Sequence, residues 1–450
     1  MKAPASFLFT LFLLVSVAWS AAIPKKRGSF QVKGIAGNRH QDPRAALRYA
    51  YRKFGIHSPD NATSAAEGIG LSTNTAIQLG IVSKHVKGTT GNGAAGNTVT
   101  NEAADDDDGS EEGEVPAESI DDRFFLSPVR VGSQTLMLNL DTGSSDFWVF
   151  STTLPPELRA GHEAYDPNLS ETFEPLNGST FSITYGDGSA AEGIVGFETV
   201  DFGGSTVERQ AIGLATDVSG LLTQDVLSDG LVGLAFGTLN TIQPVPQKTF
   251  FENLVQDLDE PVMTVLLKSD ENGGVGSYEF GRIDPTKFTG NLIEVSVDNS
   301  RGHWEISTPR FKVGGQDAQA QDIQITPTAI VDTGTTLMLG SPDLVQGYYQ
   351  DVDGAQVLFS DGSVGFPCNA ELPPLQVQVG QGPNHYVEIP GSAMNFGPVG
   401  RDITTGQLMC FGGLQSNQGF NLQIYGGVFL RNLFAVFNYE KPSISLAPQA

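Results

Sequence analysis

The chain has 450 residues and a formal net charge of -25, with 17% of its residues charged. That length exceeds what one small core organises and points to two or more domains or lobes. So acidic a surface repels nucleic acid and anionic lipid, and neither is expected as a partner.

Along the chain, Lys2 is followed by an apolar run from Phe7 to Trp19 and then by Ser20, Ala21 and Ala22. The run is too short to span a bilayer, and residues 1–22 read as a cleaved signal peptide of a secreted protein. No later stretch suits a membrane helix or a lipid-anchor signal, so no membrane anchor is expected. Residues 23–60 are basic, with nine Lys or Arg, Lys53 among them, against Asp42 and Asp60. Residues 61–116 are rich in Gly, Thr, Asn and Ala and end in Asp105–Asp108, Glu111, Glu112 and Glu114. They have little to bury and read as a flexible, acidic, protease-accessible linker. Sequons at Asn61, Asn168 and Asn177 fit secretion. So does the cysteine count: Cys368 and Cys410 are the only two, and in an oxidising compartment they should pair.

From about Ile120 the texture changes to alternating, β-branched runs punctuated by Gly, Asn, Asp and Pro. They fall at Thr135–Leu140, Phe181–Tyr185, Glu192–Val200, Val207–Leu214, Val262–Leu267, Leu292–Val297, Leu375–Val379 and Ala435–Tyr439. Helical patterns are few, the best being Gln247–Asp257 and Pro342–Tyr349. The body is therefore mostly β with a few short helices. It also repeats itself at very long period. Asn139-Leu140-Asp141-Thr142-Gly143-Ser144 is echoed by Ile330-Val331-Asp332-Thr333-Gly334-Thr335. An apolar-apolar-Gly signature follows each copy, with Gly233 placed 92 residues after Asp141 and Gly426 placed 94 after Asp332. Two such halves, 117–300 and 301–450, imply a two-fold-related bilobal body with something shared at the seam.

The repeated triplet has direct chemistry. A strand delivers each Asp into a buried place, and Gly lets the backbone turn where a Cβ would clash. The hydroxyls of Thr142 and Thr333 can bond across to the opposite copy, and those of Ser144 and Thr335 can donate to the carboxylates. Two carboxylates about 3 Å apart cannot both ionise easily and share a proton. One then activates a water as general base, while the other acts as acid toward the carbonyl oxygen. No metal, cofactor or covalent intermediate is required. Other chemistries are poorly served: there is no Gly-x-Ser-x-Gly, and His162-Glu163 lacks the second His of a zinc motif. A glycosidase also uses two carboxylates, but nothing in that chemistry asks for duplicated Thr-Gly turns.

These residues resemble the pepsin-like aspartic proteases, in particular the secreted fungal aspergillopepsin and penicillopepsin type. The likeness covers roughly Ile120 to Pro448. Asp141 to Phe150 looks like the first active-site segment, Val331 to Thr336 the second, and Gly426 to Arg431 the segment near the C-terminus. Tyr185-Gly186-Asp187-Gly188-Ser189 looks like the tip of the flap hairpin. The resemblance implies a bilobal double barrel with a six-stranded interlobe sheet, catalytic Asp141 and Asp332, and supporting Thr142, Gly143, Ser144, Thr333, Gly334, Thr335 and Thr336. It implies that Tyr185 closes over protein and peptide substrates and reaches Trp148, with Gly186 and Ser189 beside it. Asp187 could accept a substrate Lys; comparing cleavage after Lys and after Phe in Asp187→Ser tests this. The Cys368–Cys410 pair is similar to the family's C-lobe disulfide.

The resemblance also makes 23–116 a propeptide, with 23–60 its inhibitory part and Lys53 the residue expected between the two carboxylates. The enzyme would be a monomer held silent by its own propeptide and processed between 108 and 122. Three positions depart from the common family pattern: Phe147, Gly427 and Asn438. Loss of an acid at Gly427 removes a charge near the second Asp and should shift the pH optimum. The rival reading is a pepsin-like peptide- or protein-binding homologue without catalysis, which the intact dyad disfavours.

Overall fold

The computed structural model describes residues 30–32, 43–59, 62–73, 77–79, 113–114, 116–120, 124–184, 190–219, 222–223, 226–269, 274–315 and 317–450. The fold is the expected one: two β lobes, few short helices, and a sheet shared between the lobes. Hydrogen-bonded neighbours run in the order Ile293–Ser296, Ser443–Pro448, Leu433–Asn438, Val262–Leu266, Val275–Phe280 and Pro116–Ile120. These six strands floor both lobes. The path then continues through Phe124–Val131 into the N-terminal lobe. The strand Phe30–Val32 lies on the same edge of Val275–Phe280 as Pro116–Ile120, paired at Tyr278 to Phe280.

The long-period repeat is a repeat of topology. In the first half, Gln134–Asp141 runs parallel to Gly230–Gly233, which runs antiparallel to Phe147–Val149. In the second half, Thr328–Val331 runs parallel to Gln423–Tyr425, which runs antiparallel to Met338–Gly340. Each downstream strand thus threads between the strand that delivers the Asp and the strand that leaves it. The threading is tight. A Cβ on Gly233 would lie 2.5 Å from Ser145 Cα, and one on Gly426 would lie 2.2 Å from the Thr335 carbonyl oxygen. Glycine is required at both places by close backbone approach.

Of the two expected helices, Pro342–Tyr349 forms as read, with Pro at its first turn. The other is shorter: the α-helix is Phe250–Leu254, followed by a 3-10 turn to Asp257. Thr249 sets its start, because its side chain accepts from the Glu252 N–H while Glu252 accepts from the Thr249 N–H.

The segment ahead of the body is more structured than its composition suggested. Two helices form, α1 over Pro43–Lys53 and α2 over Ala62–Ile69. Ala46, Leu47, Ala50 and Tyr51 of α1 and Ala65, Ala66 and Ile69 of α2 are buried. The expected flexible linker therefore does not begin at 61. The small alanines fit closely against the C-terminal lobe, where Gly362 packs under Pro59 and Ala65. Two short strands follow. Ser72–Thr73 pairs with Gln356–Val357, and Ile77–Leu79 pairs with Gly400 to Asp402. These are opposite edges of one six-stranded sheet. Only three residues separate the two strands, a reach of about 14 Å. The sheet must curl into a barrel for both pairings to hold. Cys368 and Cys410 are disulfide-bonded within this lobe.

Candidate active site

The two Asp-Thr-Gly turns meet at the seam between the lobes. Asp141 and Asp332 are both fully buried. A Cβ on Gly143 would lie 2.5 Å from Asp332 Oδ1, and one on Gly334 would lie 2.3 Å from Asp141 Oδ1. Each carboxylate therefore rests on the bare backbone of the opposite turn, which is the physical need for Gly in both triplets.

The hydrogen bonds around the pair repeat in mirror fashion. The Gly143 N–H donates to Asp141 Oδ1 at 2.8 Å, and the Gly334 N–H to Asp332 Oδ1 at 3.0 Å. Ser144 Oγ donates to Asp141 Oδ2 at 2.6 Å, and Thr335 Oγ1 to Asp332 Oδ2 at 2.5 Å. Behind the carboxylates the threonines cross the seam. Thr142 Oγ1 donates to the Val331 carbonyl and accepts from the Thr333 N–H, at 2.9 and 3.0 Å. Thr333 Oγ1 donates to the Leu140 carbonyl and accepts from the Thr142 N–H, at 2.6 and 3.0 Å. Four bonds between two buried backbones fix the turns against each other. Tyr278, from the interlobe sheet, adds a 3.3 Å bond to the same Leu140 carbonyl. Thr336 is buried beside Thr335.

Lys53, the last residue of α1, reaches the pair. Its Nζ donates to Asp141 Oδ1 at 2.7 Å and to Asp332 Oδ1 and Oδ2 at 3.0 and 2.8 Å. Its side chain is only 3% exposed. Burial works against the Lys53 charge, but the two carboxylates outweigh it and its pKa is raised. Burial pushes Asp141 up, yet the Lys53 charge and the bonds around its carboxylate hold it below the ordinary range. Asp332 goes the other way, to about 6, because burial and the Asp141 charge together exceed the pull of Lys53. The two similar carboxylates thus bind protons unequally, which suits one proton held by the pair.

The remaining expected site residues divide. Trp148 is buried on Phe147–Val149, with Phe150 5.6 Å away between ring centroids. The flap tip, Tyr185, Gly186, Asp187 and Ser189, lies outside the described residues. Its two legs, Glu174–Thr184 and Ala190–Phe202, pair antiparallel as far as Thr184 and Ala190. Asn168 and Asn177 are exposed, and Asn61 lies outside the described residues. His303 was not anticipated. Its ring meets that of Phe54, the residue after Lys53, and it belongs to no motif. No cluster of metal-ligating side chains occurs among the described residues, and no helix there is long and apolar enough to cross a membrane.

Sequence comparison agrees with this geometry. The family model described as eukaryotic aspartyl protease matches residues 124–449, and the chain belongs to that family. It is accordingly an aspartic-type peptidase, a hydrolase of peptide substrates. Among its relatives is a protein of Aspergillus fumigatus named as an aspergillopepsin A-like aspartic endopeptidase, 46% identical over 447 residues and 98% of each chain. Aspartic protease PEP3 of Coccidioides posadasii is 44% identical over 409 residues, 91% of this chain and 86% of that one. Penicillopepsin-1 of Penicillium rubens is 43% identical over 326 residues, 72% of this chain and 78% of that one.

Proposed function

We propose that the chain is a secreted acid endopeptidase, made as a zymogen, that hydrolyses peptide bonds with a water held between Asp141 and Asp332. The observation that carries this reading is the mirrored set of bonds around two carboxylates with Lys53 Nζ between them. That ammonium stands where a catalytic water would be held. With Lys53 gone, the ionised carboxylate takes a proton from the water as it attacks the scissile carbonyl carbon. The protonated carboxyl donates to the carbonyl oxygen, giving a neutral tetrahedral intermediate. Collapse breaks the C–N bond as the proton held by the first carboxyl passes to the leaving nitrogen, while one hydroxyl of the intermediate returns its proton to the other carboxylate and becomes the carbonyl of the new acid. Donation by Ser144, Thr335 and the two glycine N–H groups keeps the carboxylates fixed throughout.

Residues 1–22 serve as the signal peptide and 23–116 as the propeptide; 117–300 and 301–450 are the catalytic lobes. The processing bond is expected within 108–122, a stretch that includes the interlobe strand Pro116–Ile120. Acid opens the zymogen by linkage. The Lys53 charge lowers the proton affinity of both carboxylates, so the open form binds protons that the closed form does not. Closure is therefore favoured as pH rises and lost as it falls below about 6, where Asp332 takes its proton. Glycans at Asn168 and Asn177 fit the exposure of both. Digestion of haemoglobin or casein in mild acid tests the reading. It should be blocked by a statine-type inhibitor and be absent in Asp332→Asn. No digestion by the processed wild-type chain would favour the binding-protein alternative.

A further inference from the structure

The residue after the plug also enters the site. Phe54 follows Lys53, and its ring lies 5.4 Å from Lys53 Nζ. The facing wall is His303, whose ring centroid is 6.3 Å from that of Phe54 at a 59° tilt. His303 is held rigidly. Before it, the Gly302 carbonyl accepts from the Phe236 N–H at 3.1 Å. After it, Trp304 Nε1 donates to the Leu234 carbonyl at 3.0 Å, and the Trp304 carbonyl accepts from the Val331 N–H at 3.0 Å. Its mounts are thus the strand end after Gly233 and the strand that delivers Asp332. Its Nδ1 is buried and has no hydrogen-bond partner among the described residues. An unpartnered polar atom at a rigid place beside the dyad is costly unless something comes to meet it.

We propose that His303 is a specificity-determining residue: it walls the subsite that Phe54 fills, and as an imidazolium it selects a carboxylate side chain over its amide there. The inference rests on the reading of Asp141 and Asp332 as the catalytic pair and of Lys53 as their plug. A peptide substrate that displaces the pro-segment puts one of its own side chains where Phe54 stood. The ring face accepts an aromatic group, as it accepts Phe54. The Nδ1–H of the charged ring offers a charge-assisted bond to Glu or Asp.

The charges facing His303 are Lys53 on α1, Arg301 on its own segment, and Asp141 on the first active-site turn. In the zymogen, burial together with Lys53 and Arg301 holds its pKa down to about 4, so the ring is neutral. Departure of the pro-segment uncovers the ring on the Phe54 side and takes away the Lys53 charge, so burial and charge both depress its pKa less and the ring charges at a higher pH than before. Selection should therefore be strong near pH 5, where a substrate Glu is ionised and the ring is charged. It should fade as pH rises past the ordinary histidine value.

The test uses processed enzyme and matched peptides with Glu, Gln or Phe at each position within three residues of the scissile bond. At one position the wild type should favour Glu over Gln in kcat/KM by about tenfold at pH 5, with the ratio falling toward one at pH 7. His303→Gln, which keeps size and polarity, should bring the ratio to about one at pH 5 while still cleaving the Phe peptide. An equal Glu/Gln ratio in wild type and His303→Gln at every position overturns the proposal. The protease reading survives that result, provided the Phe peptide is cleaved and Asp332→Asn abolishes the cleavage.

Discussion

Replacing Lys53 by Met in the full-length chain removes the cation that bridges two fully buried carboxylates. Three charge-assisted hydrogen bonds go, at 2.7, 2.8 and 3.0 Å. Breaking a buried ion pair by removing one partner costs about 3–5 kcal/mol. Each 1.4 kcal/mol is about tenfold, so the closed cleft should lose roughly two to three and a half orders of magnitude in relative population. The rest of the segment remains attached. Tyr51 still meets Gln418 at 3.0 Å, Arg44 still covers the Phe359 ring at 4.5 Å, and α2 stays on the C-terminal lobe.

The assay is cleavage of a fluorogenic peptide by the unprocessed chain at pH 7, read before any shortening appears on a gel. Lys53→Met should be active where the wild type is silent. A second readout follows from the signs. In the wild type, Asp141 lies below its ordinary value, so its stabilisation is present above the carboxylate range and is lost in acid. In the variant that carboxylate keeps its burial and loses its cation, so its pKa rises and its contribution reverses. Melting temperature should then climb on acidification from pH 7 to 4 relative to wild type. A variant as silent as wild type at pH 7, with the same melting profile, would refute the plug.

Thr142→Val removes a donor to the Val331 carbonyl and an acceptor from the Thr333 N–H, leaving both buried backbone groups unpaired. It should cost about 2–4 kcal/mol, read from the denaturant midpoint, and lower kcat through a loosened seam. Gly427→Asp restores an acid close to the second turn. Its Cβ meets the Thr336 carbonyl oxygen at 3.1 Å, a contact that a small shift relieves. The pH–rate profile should move; an unmoved profile would separate this position from the titration of the pair. The double variant Cys368→Ser, Cys410→Ser opens a link across 42 residues and should lose about 4 kcal/mol on the chain-entropy model, seen as a lower guanidinium midpoint.

Much of this molecule was legible in its sequence because its chemistry is written twice. The repeated Asp-Thr-Gly and the later Gly233 and Gly426 disclosed two threaded loops before any strand was paired. Local signals also served well where turn chemistry was strong, as at Pro342–Tyr349. What stayed hidden depends on partners far away in the chain. The contact of Thr142 with Val331 spans 189 residues, and no local pattern encodes it. Helix α1 did leave a trace: Ala46, Leu47, Ala50, Tyr51 and Phe54 recur at helical spacing, but the nine basic residues around them drew the eye to charge. Helix α2 left little, because its buried face is mostly alanine and its fit relies on the shape of the C-terminal lobe. His303 gave no signal at all. A lone histidine becomes informative only when folding sets it against Phe54.

The joint action of the two aspartates is tested most directly by comparing kcat of processed Asp141→Asn, Asp332→Asn and the double variant on one peptide. Residues that work as a unit lose their effect together, so each single change should cost at least about a thousandfold and the double change no more than either. A single variant that keeps activity within about tenfold of wild type would contradict the shared site.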